Sequence, residues 1–371
     1  MRLGVDGREL VAGTRTGIGR YVREVLRAAS ARGWRATVYG DAATVLEDPP
    51  PGVTLRTLAA PGTRWWDQVM LPRALARDGV QAFLSPYYKG PVAARCPVVL
   101  TVHDLYFIGY GGRRRPLRDA VLTAAARVYA RRARAIVTDS EYSRRAVVAR
   151  LGVPPAKVTA IGVAVGAEFV LSPLTIAARV RYAIPGAYVL YVGNFMPHKN
   201  VDGLVRAWAA LPADLQAGRR LVLAGGDAAR RPKLEALARA LGVTATVTFP
   251  GPIEDADLPG LYSACEAFVL PSFDEGFGLP AVEAMACGAP VIVSDRGALP
   301  EVAGPGAAVA DVGTEGALTA ALARVLRDPE HREGLRRRGR ARAADFAPAR
   351  TAGRVLDLLE IVAGATVAAT R

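Results

Sequence analysis

Cysteine is almost missing from this chain. Of its 371 residues, three are cysteines: Cys96, Cys265 and Cys287. They lie far apart in apolar surroundings and form no CxxC pair, which excludes a zinc ribbon or a disulfide framework. No apolar run reaches the length that a membrane-spanning helix needs. The N-terminal MRLGVDG has no signal-peptide hydrophobic stretch, so a cytoplasmic location is expected. The GxGxxG turn of dinucleotide-binding proteins is absent too. After the first strand, LGVD, the loop reads TRTGIGRYV, and Val22 stands where the third glycine would be. That argues against a Rossmann oxidoreductase or a nucleotide-sugar epimerase. Aromatic content is 7% and no RNA- or DNA-binding module is visible, so nucleic acid is not an expected partner. No DxD-type cluster stands at a strand end, and metal independence is expected. Lysine is scarce and arginine dominates, a bias we read as coding preference.

What is present is a globular composition, 51% hydrophobic and 22% charged. The net charge of +14 is placed unevenly. Residues 1–172 hold 26 Lys+Arg against 13 Asp+Glu; of the totals of 48 and 34, residues 173–371 keep 22 against 21. A basic half beside a neutral half points to an anionic partner for the first.

Short β-rich runs alternate with helical stretches throughout. The strand candidates are LGVD, ATVYG, VTLRTL, QAFLSP, PVVLTVHD, AIVTDS and KVTAIGV, then YVLYVG, RLVLAGG, ATVTFPG, AFVLPS, PVIVSD and AAVADV. Several are continuous apolar runs, as parallel strands buried on both faces require. Helical spacing covers 18–32, 116–132, 201–211, 232–241 and 315–326. The rhythm predicts an α/β protein with two Rossmann-like, doubly wound parallel-sheet domains. The first spans 1–172 and the second 173–347, with residues 166–186 as the connection and a final helix, about 348–371, packing back on the first. Two such domains facing one another are expected to form a cleft, with ligand-binding residues just after strands.

The most informative segment is AFVLPSFDEGFGLPAVEAMACGAPVIVSD. A strand ends at Pro271–Ser272, a turn follows with Gly276 and Gly278, and a helix starts near Pro280. The amides of Phe277, Gly278 and Leu279 should open toward an anionic or hydroxyl-rich ligand. Glu275 lies in the turn and Glu283 in the helix; carboxylates accept paired hydrogen bonds from vicinal hydroxyls.

This order of residues resembles the E-x7-E signature of retaining glycosyltransferases with the GT-B fold, family 4 of the glycosyltransferase classification. By that resemblance Glu275 contacts the transferred sugar and Glu283 the ribose of a nucleotide, while Gly276 and the three amides hold sugar hydroxyls and phosphate. In YVGNFMPHKN the resemblance makes Lys199 the diphosphate ligand. The chain carries Asn194 where the family often has arginine, and His198 before the lysine. The second cationic contact then falls to Asn194 as a neutral donor or to Arg20. In GIGRY the resemblance makes Gly17 and Gly19 part of a lid over phosphate and acceptor, with Arg20 on the acceptor side. In VVLTVHD it makes His103 an active-site residue near the sugar C6; Asp104 orients its loop or caps a helix. In TDSEYSRRAV, Ser140 caps a helix whose Ser143 and Arg144 face the cleft. Backbone near Ile253 would contact the base.

The resemblance implies a hexosyltransferase acting with retention and without metal or other cofactor, its donor a GDP- or UDP-linked sugar. GIGRY with GNxxPxKN is more similar to members using GDP-mannose. The expected acceptor is a glycan or a lipid-linked glycan in surface-polysaccharide or glycolipid synthesis; a UDP- or dTDP-sugar donor is the alternative. Residues 113–150 hold 11 arginines and three acids. Helix 116–132 sets arginines on one side and Leu117, Val121, Leu122, Ala125 and Val128 on the other. This fits either an ordinary core-packed helix or peripheral docking on an anionic membrane.

Overall fold

The computed structural model describes residues 1–12, 16–106, 108, 116–226 and 229–369. The chain divides into two compact units, Met1–Gly166 with Pro348–Arg371, and Ala167–Ala347. Thr14 and Arg15 of the glycine loop and Arg113–Arg115 of the basic stretch lie outside the described residues.

The first unit is built on a seven-stranded sheet: β1 Arg2–Asp6, β2 Arg35–Gly40, β3 Val53–Thr57, β4 Ala82–Ser85, β5 Val98–Val102, β6 Ala135–Thr138 and β7 Val158–Ala160. Its order is β3-β2-β1-β4-β5-β6-β7 and every pairing is parallel. The strand order therefore reverses between β1 and β4. β4, β5 and β6 are buried along their whole length, which is why AFLS, VVLTV and AIVT read as unbroken apolar runs.

Helix Gly17–Ala31 follows β1. Thr16 is its N-cap, Oγ1 accepting from Gly19 N at 3.0 Å and donating to Glu9 Oε2 at 3.0 Å. The terminal helix Pro348–Ala369 packs on it. Arg32 reaches Asp357 at 2.7 Å and donates to Gly353 O at 3.0 Å, while Arg354 donates to Ala160 O at 3.2 Å.

The second unit holds six parallel strands: β8 Ala187–Gly193, β9 Arg219–Gly225, β10 Val247–Gly251, β11 Ala267–Leu270, β12 Val291–Ser294 and β13 Ala307–Ala310. The order is β10-β9-β8-β11-β12-β13, reversing between β8 and β11. Trp208, Tyr188, Tyr262 and Phe268 are fully buried here. Their polar ends are satisfied, Tyr188 by Leu261 O at 2.7 Å and Trp208 Nε1 by Thr246 Oγ1 at 3.0 Å. The expected connection, 166–186, contains no strand and one short helix, Ile176–Arg181, capped by Thr175. The cysteines are unbridged, and burial pushes the Cys96 thiol up to about 11 and Cys287 to about 12, which disfavours the nucleophilic thiolate.

Candidate active site

In an open parallel sheet, ligands bind beyond the carboxyl ends of the strands, where the strand order reverses. In the second unit that point lies beyond β8 and β11, and the loops leaving these strands carry Lys199 and Glu275. Lys199 Nζ lies 2.6 Å from Glu275 Oε1, with the two side chains 17% and 9% exposed. The same oxygen accepts from Ser272 Oγ at 2.7 Å, and Ser272 O accepts from Ser294 Oγ at 2.5 Å. No described residue donates to Glu275 Oε2, so one carboxylate oxygen is left for a ligand hydroxyl.

The turn that carries Glu275 is shaped by two glycines. Gly278 has φ +90°, and a Cβ there would come 2.3 Å from Leu299 Cδ2. Gly297 has φ +62°, and a Cβ there would come 2.6 Å from Glu275 N. Helix Leu279–Ala286 starts directly after Gly278 with no side-chain cap. Among the described residues the amides of Phe277, Gly278 and Leu279 donate to no protein acceptor, so this helix start is open to an anion. The Phe277 ring turns inward, edge-on to Phe346 at 5.2 Å. Glu283, 2% exposed, lies on this helix and accepts from Tyr262 OH at 3.1 Å.

On the β8 side, Lys199 ends the turn Pro197–Lys199. Phe273 N donates to His198 O at 2.7 Å and Asn200 Nδ2 to Pro271 O at 3.1 Å, which ties this turn to the Glu275 loop. His198 is pushed below its ordinary value, by burial and then by the Lys199 charge. Both effects favour the neutral imidazole over a second cation. Asn194 is exposed, and its Oδ1 accepts from Met196 N at 3.2 Å. Its amide nitrogen donates to no described residue, which suits a neutral donor. Ile253 stands in the loop after β10, two strands away from β8.

The first unit gathers a separate set of side chains. His103 follows β5 and Asp139 follows β6; His103 Nδ1 lies 2.7 Å from Asp139 Oδ2. The Tyr21 ring meets His103 edge-on at 5.3 Å. Among the described residues Nε2 of His103 has no hydrogen-bond partner, which leaves that nitrogen available. Burial lowers the His103 pKa, but the charge and hydrogen bond of Asp139, joined by the charges of Asp104 and Glu9, raise it, and the net shift is upward. Asp104 Oδ1 accepts from Tyr106 N at 3.0 Å, the loop-orienting part expected of it. Gly17, exposed, opens its helix, whereas the Gly19 amide is already occupied by Thr16. Arg20 lies one residue further along that helix, half-buried.

Ser143 is buried, and its hydroxyl donates to His103 O at 3.4 Å, so it supports the histidine loop. Arg144 departs from the expected acceptor-facing place. Its guanidinium donates to Val158 O at 2.8 Å, Pro155 O at 3.2 Å and Glu141 at 3.1 Å. Val158 is the first residue of β7, so Arg144 is committed to the amino end of the sheet, away from the ligand-binding edge.

Two groups escaped the sequence reading. Ser272, Ser294 and Gly297 hold Glu275 in place; the visible signal was a serine at the end of each of two adjacent strands. The other is a charged network at the β1–β4 reversal. Arg8 reaches Asp6 at 2.5 Å and Asp67 at 2.7 Å, Lys89 reaches Asp67 at 3.2 Å, and the Arg8 guanidinium stacks on Trp66 at 3.8 Å. Burial raises the Asp6 pKa, against the lowering effect of Arg8. Its members come from three distant segments, which no local pattern joins.

Two parallel-sheet units, one with a lysine–carboxylate pair at its strand reversal, define the GT-B class of α/β protein. Residues 181–342 match the family described as "Glycosyl transferases group 1", and residues 15–168 match "Glycosyltransferase Family 4". The chain belongs to this glycosyltransferase family. It is 35% identical to the O-antigen chain mannosyltransferase B of Escherichia coli over 219 residues, 58% of this chain and 57% of that protein. It is 30% identical to the D-inositol 3-phosphate glycosyltransferase of Mycobacterium tuberculosis over 296 residues, 70% of this chain and 60% of that one. The chain thus spans a little over half the length of these curated relatives. Sucrose-phosphate synthase from Thermosynechococcus elongatus shares the fold, with TM-score 0.81 and 24% identity over 98% of this chain and 99% of that one.

Proposed function

We propose that this protein transfers mannose from GDP-mannose to a growing glycan or lipid-linked acceptor, with retention of configuration, in the synthesis of a surface polysaccharide. The observation that carries this reading is the Lys199–Glu275 pair beside an uncapped helix start at the strand reversal of the second unit. The likeness to an O-antigen mannosyltransferase supports mannose as the sugar.

Transfer breaks the bond between the anomeric carbon and the diphosphate, and negative charge grows on the leaving phosphate. Lys199 and the amides of Phe277, Gly278 and Leu279 stabilise that charge electrostatically, with Asn194 as a neutral donor. Lys199 then exchanges part of its contact with Glu275 for phosphate. Glu275, held by Ser272, accepts hydroxyls of the transferred sugar through Oε2, and Glu283 takes the ribose. The base lies along the backbone near Ile253. His103 contacts the sugar, its charge supported by Asp139. With the leaving diphosphate on the face the acceptor approaches, a same-face substitution through an ion-pair-like state accounts for retention. In this reading the charge on the diphosphate is met by protein groups without a metal or other cofactor.

Hydrolysis of a panel of donors, GDP-mannose, UDP-glucose and a dTDP-sugar, tests the donor. GDP-mannose is expected to turn over fastest. A preference for a UDP- or dTDP-sugar overturns the mannose assignment and leaves the class intact. No turnover of any donor together with stabilisation by NAD alone overturns the class. Proton NMR of the first product, before mutarotation or further transfer, reads retention directly.

A further inference from the structure

The first sheet has a second end. Where β5, β6 and β7 begin, opposite the carboxyl edge that carries His103 and Asp139, lies a cavity of about 640 Å³. Arg95, Arg132, Arg134 and Lys157 line it, and among the described residues no aspartate or glutamate does. Arg134 and Lys157 immediately precede β6 and β7. None of the four cations forms an ion pair with a described residue; Lys157 Nζ donates to the backbone of Arg131 at 2.7 Å. Burial and then the Arg134 charge hold the Lys157 ammonium below its ordinary value. Four like charges around one cavity repel each other, and an anion among them relieves that repulsion.

The cavity continues into helix Pro116–Arg132 through Arg132, which belongs to both. Leu117, Val121 and Val128 are spaced four and seven residues apart and so form one stripe along the helix. They are 84%, 63% and 48% exposed, while Ala126 and Ala130 face the core. The apolar positions that a core-packed reading would bury are thus turned outward in part. By helical spacing Arg127 and Arg131 border the stripe on one side and Arg118 and Arg132 on the other, and none of them has a carboxylate partner among the described residues.

We propose that the outward face of helix Pro116–Arg132 docks lengthwise on an anionic lipid bilayer, with Leu117, Val121 and Val128 entering the headgroup–acyl boundary and lipid phosphate taking the Arg95–Arg132–Arg134–Lys157 cavity at the C-terminal end of the helix. An apolar stripe bordered by arginine matches a bilayer interface in both polarity and charge. A second copy of the chain is a poor occupant, because it would set one arginine border against another. The inference does not rest on the identity of the donor or of the sugar.

Sedimentation of the full-length chain with phosphatidylcholine vesicles, with and without phosphatidylglycerol, tests it at low and high salt. Binding is expected with phosphatidylglycerol and is expected to fall at high salt. Arg95→Gln with Arg134→Gln should weaken partitioning about thirtyfold, from about 1 kcal/mol per cation near an anionic surface. Leu117→Asn with Val121→Asn should weaken it about tenfold. Donor hydrolysis and far-UV circular dichroism should stay at wild-type levels in both double variants, which shows that they fold. Equal binding to neutral and anionic vesicles, or wild-type partitioning in either folded variant, overturns the proposal. So does binding of inorganic phosphate in the cavity without any vesicle binding. Concentration-dependent self-association through the stripe, with vesicles ignored, assigns the face to a second copy instead.

Discussion

His103 and Asp139 meet because β5 and β6 end in register. Val102 is paired with Thr138, so the next residue on each strand emerges at the same level, and the imidazole and carboxylate come within 2.7 Å. Neither residue is near the other in sequence. Burial lowers the histidine pKa from 6.5, and Asp139, together with Asp104 and Glu9, raises it by more. The stability linked to this shift is full below the unfolded value of 6.5 and is lost as pH rises through the folded value. Asp139→Asn should move the His103 titration, followed by NMR of its ring proton, downward to or below 6.5, and should flatten this part of the stability–pH curve. An unchanged titration would show that Asp139 is not the cause.

Glu275→Ala and Lys199→Ala should each lower transfer by about 10²–10³, as the loss of a charge-stabilising group does. The thermal transition should remain cooperative. Either variant working at the wild-type rate would place the site elsewhere.

Gly297→Ala tests the support behind Glu275. A Cβ at that position would come 2.6 Å from Glu275 N, and φ is +62°. The cost should be about 1–3 kcal/mol of stability, read by denaturant unfolding. Transfer should fall with it, because the displaced atom belongs to the residue proposed to hold the sugar. A variant with unchanged stability and rate would mean that the loop can move at no cost.

Asn194→Arg restores a cation where the diphosphate is proposed to lie. One charge-assisted hydrogen bond in place of a neutral one should tighten GDP binding roughly fivefold, measured by calorimetry. Weaker or unaltered binding would remove Asn194 from the phosphate site.

Arg144→Ala separates a structural role from a role at the acceptor. With bonds to Val158 O and Pro155 O lost, stability should drop by about 1–2 kcal/mol while the acceptor KM stays the same. A raised KM at undiminished stability would return Arg144 to the acceptor side.

The amino-acid sequence by itself determined the alternation of strands and helices, because the inner parallel strands are buried on both faces and so appear as unbroken apolar runs. All thirteen strand candidates correspond to strands of the two sheets. It also marked Glu275, Lys199 and His103, since ligand-binding residues follow strand ends and their neighbours, glycine and proline, are dictated by local backbone geometry. Tertiary structure decided which of these residues touch. The Lys199–Glu275 pair depends on β8 lying beside β11, the His103–Asp139 pair on the register of β5 and β6, and the Arg8–Asp67–Lys89 network on three remote segments meeting at a strand reversal. It also decided which face of helix Pro116–Arg132 is buried: the apolar residues fit either a core or a surface by spacing alone, and packing put Ala126 and Ala130 inside and left Leu117 and Val121 out. Local pattern specifies the shape of each element; which side chains become neighbours is a matter of strand order and packing, over separations that no short motif spans.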